Sequence, residues 1–354
     1  MLHQPIRKKD FGVFLPVANG GWIISKTSPP LNDLWAQNRA AAVTADEVGM
    51  DFVMSMGKWR GFGGETNHWG ASLESVTMMA AIAEATKNVR IWATVHPLLQ
   101  NPAVTAKMIS TLDHISGGRA GLNIVAGAYK AEFDQMGAWD ESMTHEDRYV
   151  LTEEWTAVVK RLWAEDSVTH DGKYFHMNDC QSNPKPLSRP RPELICAGQS
   201  DRGFQFSVRE ADACFIGGRT PEERRDNSRR AKQVADQLGK TIKTYAMCTI
   251  VHGETEAKAQ GLVERYKDGA DIGAILEMLK NWGVPAEHLD KAAQAQGAFM
   301  TQTAIGTPES CGQQVHEFVE FAELDGLMLI FPDYVEGLEM FGADILPGLR
   351  AAFA

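Results

Sequence analysis

The chain lacks the short motifs that mark several common classes of enzyme. Its 354 residues include only five cysteines and no CxxC pair, so neither a disulfide framework nor a zinc knuckle is indicated. The histidines form no HExxH spacing, which argues against a metal site. No GxSxG nucleophile elbow and no GxxxxGK[ST] loop occurs, so covalent hydrolysis and ATP binding have no support.

An excess of positive charge is also missing. The formal net charge is −11, and binding to a nucleic-acid backbone depends on clustered Lys and Arg, so a nucleic-acid partner is not expected. No segment has about 18 uninterrupted apolar residues, and residues 1–10 lack the apolar run of a signal peptide. We therefore expect a cytoplasmic protein without a membrane partner.

What the chain does have is a regular alternation of strand and helix patterns. Eight short apolar runs are separated by stretches with helical spacing, which is typical of βα units and a parallel sheet. Eight is the number of strands that closes a (β/α)8 barrel. The predicted strands are 11–17, 51–56, 89–95, 119–126, 193–197, 213–217, 245–251 and 326–331. The predicted helices are 34–48, 72–86, 102–115, 149–163, 221–238, 254–268, 308–323 and 334–349.

Two domains, or a doubly wound sheet, are the alternatives at this length. A dinucleotide-binding doubly wound sheet carries a Gly-rich turn after its first strand, whereas residues 18–22 are ANGGW and not GxGxxG. We predict a single TIM (β/α)8 barrel domain over residues 1–354, with a helical insertion near residues 271–300.

Catalytic residues of such barrels follow the C-terminal ends of the strands. Asn123 is a polar residue within the apolar run 119–127, where its amide either satisfies neighbouring backbone or points into a pocket. The long loop 56–69 carries three aromatic residues that are costly to expose, and it is either a binding loop or a surface loop. Thr94 and His96 end the third strand, and His96 is either a general acid or base or a hydrogen-bonded histidine.

A phosphate site is the second prediction. Gly198 and Ser200 follow the fifth strand and precede a helix, so backbone N–H groups and a hydroxyl converge there, as in an anion site or an ordinary capped turn. Arg148 and Tyr149, at the head of another helix, either add a cation and a phenol to the same anion or face solvent. With no reactive side chain evident, chemistry borrowed from a cofactor is favoured.

Several motifs in order carry a resemblance to a known family. They are GVFLP at 12–16, GWIIS at 21–25, residues 56–63, ISGGR at 115–119 with Asn123, and CAGQSD at 196–201. Across nearly its whole length the chain resembles the bacterial luciferase-like flavin monooxygenases. QMG at 135–137 and NDC at 178–180 add a likeness to the members that open the uracil ring.

The resemblance implies a luciferase-like TIM barrel that uses O2 and FMN, as FMNH2 supplied by a separate NAD(P)H:flavin reductase. By the same resemblance, Thr94 and Asn123 place O2, and a flavin peroxide attacks an electrophilic carbon of the substrate. At position 96 the uracil-opening members have a small residue, so His96 reshapes the pocket and is a third catalytic candidate. The implied flavin contacts are Gly57, Lys58, Asn123, Glu132, Arg148, Tyr149, Gly198 and Ser200.

The expected function is therefore an FMNH2-dependent monooxygenase that opens a small, pyrimidine-like nitrogen heterocycle. The alternatives are a sulfone or sulfonate monooxygenase, for which Lys58 and Arg60 supply positive charge, and a riboflavin lyase-like enzyme that degrades a flavin. A flavin-binding barrel without catalysis is the remaining alternative. A homo-oligomer is expected by analogy with the family.

Overall fold

The structure is a computed structural model that describes residues 9–127, 129–218 and 220–354. Residues 1–8, which contain most of the segment examined for a signal peptide, lie outside the described residues. The strands of the described part are β1 Asp10–Phe14, β2 Phe52–Met54, β3 Arg90–Val95, β4 Ala120–Ile124, β5 Val168–Asp171, β6 His176–Cys180, β7 Glu193–Cys196, β8 Ala213–Phe215, β9 Lys243–His252, β10 Gln302–Gly306 and β11 Gly326–Ile330.

Eight of these strands form a closed parallel barrel in the order β1-β2-β3-β4-β7-β8-β9-β11. The closure comes from two pairings, β11 with β1 and β8 with β9. Each barrel strand corresponds to one of the eight predicted runs, and their side chains are almost entirely buried. The predicted TIM (β/α)8 fold is confirmed.

Helices cover the outside of the barrel and connect its strands. Those of the described residues are α1 Leu34–Glu47, α2 Ser75–Ala85, α3 Pro102–Ile115, α4 Lys130–Asp134, α5 His145–Ala164, α6 Asp201–Glu210, α7 Pro221–Gln237, α8 Glu256–Asp268, α9 Ile272–Asn281, α10 Leu289–Gln296, α11 Pro308–Phe321, α12 Tyr334–Met340 and α13 Leu346–Ala352. In the described part of the chain, no helix has the length and apolar character needed to cross a membrane.

Helix ends differ from the prediction where capping decides them. The predicted start of α5 at residue 149 is wrong, because Thr144 and Asp147 form a capping box and start the helix at His145. Similarly, Glu74 accepts hydrogen bonds from two backbone N–H groups and starts α2 at Ser75, not at residue 72. The predicted final helix is interrupted by a π-helical turn at Phe341–Ile345.

Two strand features have no counterpart in the prediction. The antiparallel hairpin β5–β6 is mostly exposed, so its sequence carries no apolar run. β10 pairs in parallel with the C-terminal half of β9, outside the closed ring. It follows α9 and α10, the helices observed within residues 271–300.

A charged network closes the N-terminal end of the barrel. Asp10 accepts a hydrogen bond from Lys243 at 2.8 Å and another from the Tyr245 hydroxyl, and its carboxylate lies 2.9 Å from Arg90. Burial alone raises the pKa of Asp10, but the charges of Arg90 and Lys243 outweigh it and lower that pKa to about 2. In a TIM barrel this end serves stability, so the active site is expected at the opposite end.

Candidate active site

Thr94 and Asn123 lie side by side near the C-terminal ends of β3 and β4. They are register partners in the parallel ladder, and Asn123 Nδ2 donates to Thr94 Oγ1 over 3.0 Å. Both residues are buried, with 5% and 4% of their surface exposed. Asn123 Oδ1 has no hydrogen-bond partner although it is buried. The structure thus brings these two predicted site residues into contact and leaves one polar atom unsatisfied.

Two serines hold Thr94 from the side of β2 and α2. The Thr94 hydroxyl donates to the backbone carbonyl of Ser55, and the Thr94 backbone N–H donates to Ser75 Oγ at 2.7 Å. The Ser55 and Ser75 hydroxyls are themselves 2.6 Å apart. Ser55 and Ser75 are not identifiable from the sequence, because small hydroxyl residues at a strand end and a helix start carry no distinctive pattern.

His96 bridges the loops that follow β2 and β4. Its Nε2 lies 3.1 Å from the carbonyl oxygen of Gly57, and its Nδ1 lies 3.2 Å from that of Val125. Burial lowers the pKa of His96, opposed by the nearby Glu132 carboxylate and by the two carbonyls. A neutral imidazole carries one N–H and can donate to only one carbonyl. These contacts match the hydrogen-bonded alternative, and a catalytic role for His96 stays a prediction.

Position 57 has no room for a side chain. A Cβ built there would lie 2.9 Å from His96 Nε2. Gly57 is therefore needed for the close approach of the β2 loop to His96. Together with Lys58, Glu74, Thr94 and His96, it lines a small pocket beside the end of β3.

Lys58 is a buried cation with one acidic partner. Its Nζ lies 3.5 Å from Glu132 Oε2, and the exposed fractions of the two side chains are 8% and 4%. The other oxygen of Glu132 accepts the backbone N–H of Trp59. Burial lowers the pKa of Lys58, while Glu132 opposes that shift. Glu132 thus connects the β2 loop to α4.

An aromatic cage, formed by Phe62, Trp69 and Tyr129, surrounds the Lys58 ammonium. The distances from Nζ to the three ring centroids are 4.6, 5.7 and 4.5 Å. Such contacts compensate partly for the lost hydration of the cation. Phe62 and Trp69 are buried, whereas Trp59 is 40% exposed. Tyr129 was missed because the sequence places it in an irregular connection after β4.

His68 is fully buried behind the aromatic cage, and neither of its ring nitrogens has a hydrogen-bond partner. Its ring stacks on Trp69 with centroids 5.1 Å apart. Burial is the main cause that lowers the pKa of His68 to about 4, so its imidazole is neutral near pH 7. The flanking residues Asn67 and Trp69 have φ of 47° and 60°, a left-handed conformation that bulky residues rarely adopt.

The predicted phosphate-binding residues gather at the start of α6. Ser200 is the N-cap and accepts the N–H of Gly203 at 3.0 Å. A Cβ at position 198 would lie 2.7 Å from the Gly203 backbone, so Gly198 permits a tight approach of loop and helix. A Cβ at position 203 would meet the Tyr149 hydroxyl at 2.3 Å, which places that phenol against the same turn.

Arg148 lies one residue before Tyr149 in α5. Its Nη1 donates to the carbonyl of Met143 at 3.2 Å, and its guanidinium lies 4.8 Å from the centroid of Trp139. Its Nε is buried without a partner. A hydrogen-bond donor of a cation is thereby left unsatisfied.

The two groups of predicted residues open on the same end of the barrel. β4 and β7 are neighbours with Ile124 opposite Cys196, so the loops beginning at Val125 and Ala197 emerge side by side. Among the described residues, no three His, Cys, Asp or Glu side chains lie close enough together to hold a metal ion. An unpaired carbonyl at Asn123 and an unpaired guanidinium N–H at Arg148 instead fit an organic ligand with a hydrogen-bond donor and an anionic group.

The fold and site define a TIM-barrel enzyme with a buried polar pocket at the C-terminal end of its strands. The model of the luciferase-like monooxygenases matches residues 9–322, and the chain belongs to that family. It is therefore an oxidoreductase of the monooxygenase class.

Similar proteins agree with this assignment. The chain is 38% identical to a pyrimidine monooxygenase RutA from Enterobacter cloacae, covering 95% of each chain. It is 35% identical to a pyrimidine monooxygenase RutA from Acinetobacter baylyi, covering 95% of this chain and 93% of that protein. Among solved structures, riboflavin lyase RcaE with modified FMN and riboflavin superposes with a TM-score of 0.86 at 21% identity, covering 98% of this chain and 92% of that one.

Proposed function

We propose that the protein is an FMNH2-dependent monooxygenase that uses O2 to oxygenate and open a small nitrogen heterocycle of the pyrimidine class. Identity of 35% and 38% to RutA proteins over nearly the whole chain supports this substrate class. The observation that carries the proposal is the buried pair Thr94 and Asn123, whose unpaired carbonyl oxygen lies at the end of the barrel that bears the active site.

The residues present fit a flavin mononucleotide. The ring end would be held by Gly57, Lys58, Asn123 and Glu132, which combine a close backbone approach, a buried cation and polar groups. The phosphate end would be held at the start of α6, with the following residues: Arg148, Tyr149, Gly198 and Ser200. Helix N-termini favour anions because their first N–H groups are unpaired. Reduced FMN supplies the two electrons that activate O2 when it is bound.

The protein's own contribution is positioning and electrostatics. Thr94, Asn123 and His96 are the proposed catalytic residues, and they lie on two neighbouring strands and the loop that follows β3. Lys58 is a fixed positive charge in a poorly solvated environment, where it stabilises developing negative charge more strongly than in water. Phe62, Trp69 and Tyr129 exclude water from this charge.

A separate NAD(P)H:flavin reductase would supply FMNH2, and the enzyme would work in the cytoplasm as a homo-oligomer. Its cysteines are all unpaired, which suits a reducing compartment. We further propose a single barrel domain, in which α9 and α10 belong to an insertion near residues 271–300.

Isotope labelling tests the proposed reaction. The protein is incubated with FMN, a flavin reductase, NADH and ¹⁸O2, together with uracil, thymine, riboflavin or dimethyl sulfone in separate reactions. Mass spectrometry is expected to find one ¹⁸O atom in a ring-opened pyrimidine. If only riboflavin is labelled or cleaved, or only the sulfone is labelled, the proposed pyrimidine substrate class is wrong and the reacting compound defines the substrate class instead.

The variant Asn123→Ala tests the role of Asn123 in this reaction. It is expected to consume FMNH2 with little or no labelled product while keeping the wild-type circular dichroism spectrum. Wild-type product formation in this variant would remove Asn123 from the proposed machinery.

A further inference from the structure

The hydrogen bonds around Thr94 determine which way the Asn123 amide faces. The backbone carbonyl of Ser55 has no hydrogen to give, so the Thr94 hydroxyl must donate its only proton to it. Thr94 Oγ1 is then left as an acceptor. The atom of Asn123 that lies 3.0 Å away must therefore be the amide nitrogen.

A reversed amide is excluded by the same count. It would bring two oxygen atoms to 3.0 Å, and the single Thr94 proton can satisfy only one of its two oxygen neighbours. The carbonyl oxygen of Asn123 consequently points away from Thr94, where it is buried and has no partner. Leaving a buried acceptor unpaired costs about 1–3 kcal/mol, unless a ligand supplies a donor.

We infer that Ser55, Ser75 and Thr94 form a positioning device that fixes Asn123 as a hydrogen-bond acceptor, and that the ligand group opposite its carbonyl bears an N–H. Ser75 Oγ accepts a hydrogen bond from the backbone N–H of Thr94 at 2.7 Å and so holds the backbone of Thr94 in place against α2. The Ser55 hydroxyl, 2.6 Å from Ser75 Oγ, links the β2 end to the start of α2. Ser75 is the new positioning residue.

The ligand chemistry follows from the proposed function, on which this part of the inference rests. A reduced isoalloxazine ring carries ring N–H groups that the oxidised ring lacks. With its carbonyl opposite one of these groups, and not opposite the N3–H that both redox forms carry, Asn123 favours the reduced cofactor over the oxidised one, whereas an amide free to rotate would offer either a donor or an acceptor. The hydrogen-bond polarity set by Thr94 is expected to contribute to this preference.

Binding of the two redox forms measures the preference. The dissociation constants of FMNH2, under anaerobic conditions, and of FMN are determined by equilibrium dialysis for the wild type, Thr94→Val, Thr94→Ser, Ser75→Ala and Asn123→Leu. Thr94→Val keeps the side-chain shape but loses the hydroxyl. We expect it and Asn123→Leu to reduce the ratio of the two constants about tenfold, the effect of one hydrogen bond. Ser75→Ala should reduce the ratio less, and Thr94→Ser should retain it.

Two results would overturn the inference. An unchanged ratio in Asn123→Leu would show that the carbonyl does not face an N–H that only the reduced ring carries. A lowered ratio in Asn123→Leu with a wild-type ratio in Thr94→Val would show that Thr94 does not set the amide orientation. A general loss of protein stability would weaken the binding of FMNH2 and of FMN alike, and by itself would leave the ratio of the two dissociation constants unchanged.

Amide exchange tests the orientation without any ligand. In protein labelled with ¹⁵N-asparagine, one Nδ2 proton of Asn123 is expected to exchange slowly with solvent in the wild type and in Thr94→Ser, and rapidly in Thr94→Val. Equal protection in the wild type and Thr94→Val would refute the positioning role. If neither form of FMN binds the wild type, the proposed function fails, while this measurement still decides the orientation of Asn123.

Discussion

Lys58 and Glu132 form a buried ion pair whose atoms are 3.5 Å apart, longer than the optimum for a charge-assisted hydrogen bond. Glu132 is held in place by the Trp59 N–H, and Lys58 is held by the aromatic cage. The pair thereby keeps a positive charge beside the proposed cofactor without neutralising it at close range.

Removing the acidic partner should destabilise the protein strongly. Glu132→Gln leaves the Lys58 ammonium buried and unpaired, a change that typically costs about 3–5 kcal/mol. Urea denaturation should show this loss, and the double variant Lys58→Met/Glu132→Gln should regain most of it because no buried charge remains. Equal stability of Glu132→Gln and the wild type would show that water or the aromatic rings already satisfy Lys58.

Replacing His68 by Phe should stabilise the protein. Phe keeps a ring against Trp69 and removes two buried nitrogens that have no partner. The effect should depend on pH. The folded pKa of His68, about 4, lies below its ordinary value of 6.5, so the unfolded chain binds more protons between these two values.

Wild-type stability should therefore fall as the pH drops from about 6.5 to about 4, by at most about 1.4 kcal/mol per pH unit from this residue. Urea titrations at several pH values should show a smaller slope for His68→Phe. An identical slope in both proteins would mean that His68 is hydrated or paired in the folded state.

Gly198→Ala should disrupt the phosphate end of the site. Its Cβ would meet the Gly203 backbone at 2.7 Å, and backbone cannot move aside as a flexible side chain does. We expect FMN affinity to fall at least about tenfold, measured by equilibrium dialysis. Gly261→Ala is the matched control, since nothing lies within 4 Å of its Cβ and Ala favours the α8 helix. Unchanged affinity in Gly198→Ala would contradict a cofactor role for this turn.

The Asp10 network should support stability at mildly acidic pH. Its folded pKa of about 2 lies below the ordinary value of 3.8, so the folded state favours the ionised form. This contribution, about 2 kcal/mol, is present above the unfolded pKa and is lost as the pH falls from about 4 towards 2. Asp10→Asn should abolish that part of the acid dependence. If Asp10→Asn has the same acid denaturation curve as the wild type, other carboxylates cause the loss of stability at low pH.

The sequence by itself determined the barrel and the strand ends that bear the candidate site. Eight apolar runs alternating with helical spacing were sufficient, because in a parallel sheet covered by helices each strand is buried on both faces. Thr94, Asn123 and Ser200 were also identifiable as candidates, since a polar residue at or just after the end of a buried run stands out in one sequence. Exposed elements such as the β5–β6 hairpin were not, because they carry no apolar period.

Only the tertiary structure decided how these residues act together. It put the carbonyl of Ser55 and the hydroxyl of Ser75 against Thr94, across separations of 39 and 19 residues. It also placed Tyr129 over Lys58 and left both His68 nitrogens unpaired. Hydrogen-bond polarity depends on which donor meets which acceptor, and such pairings between distant loops exist only once the barrel has closed and brought the strand ends together.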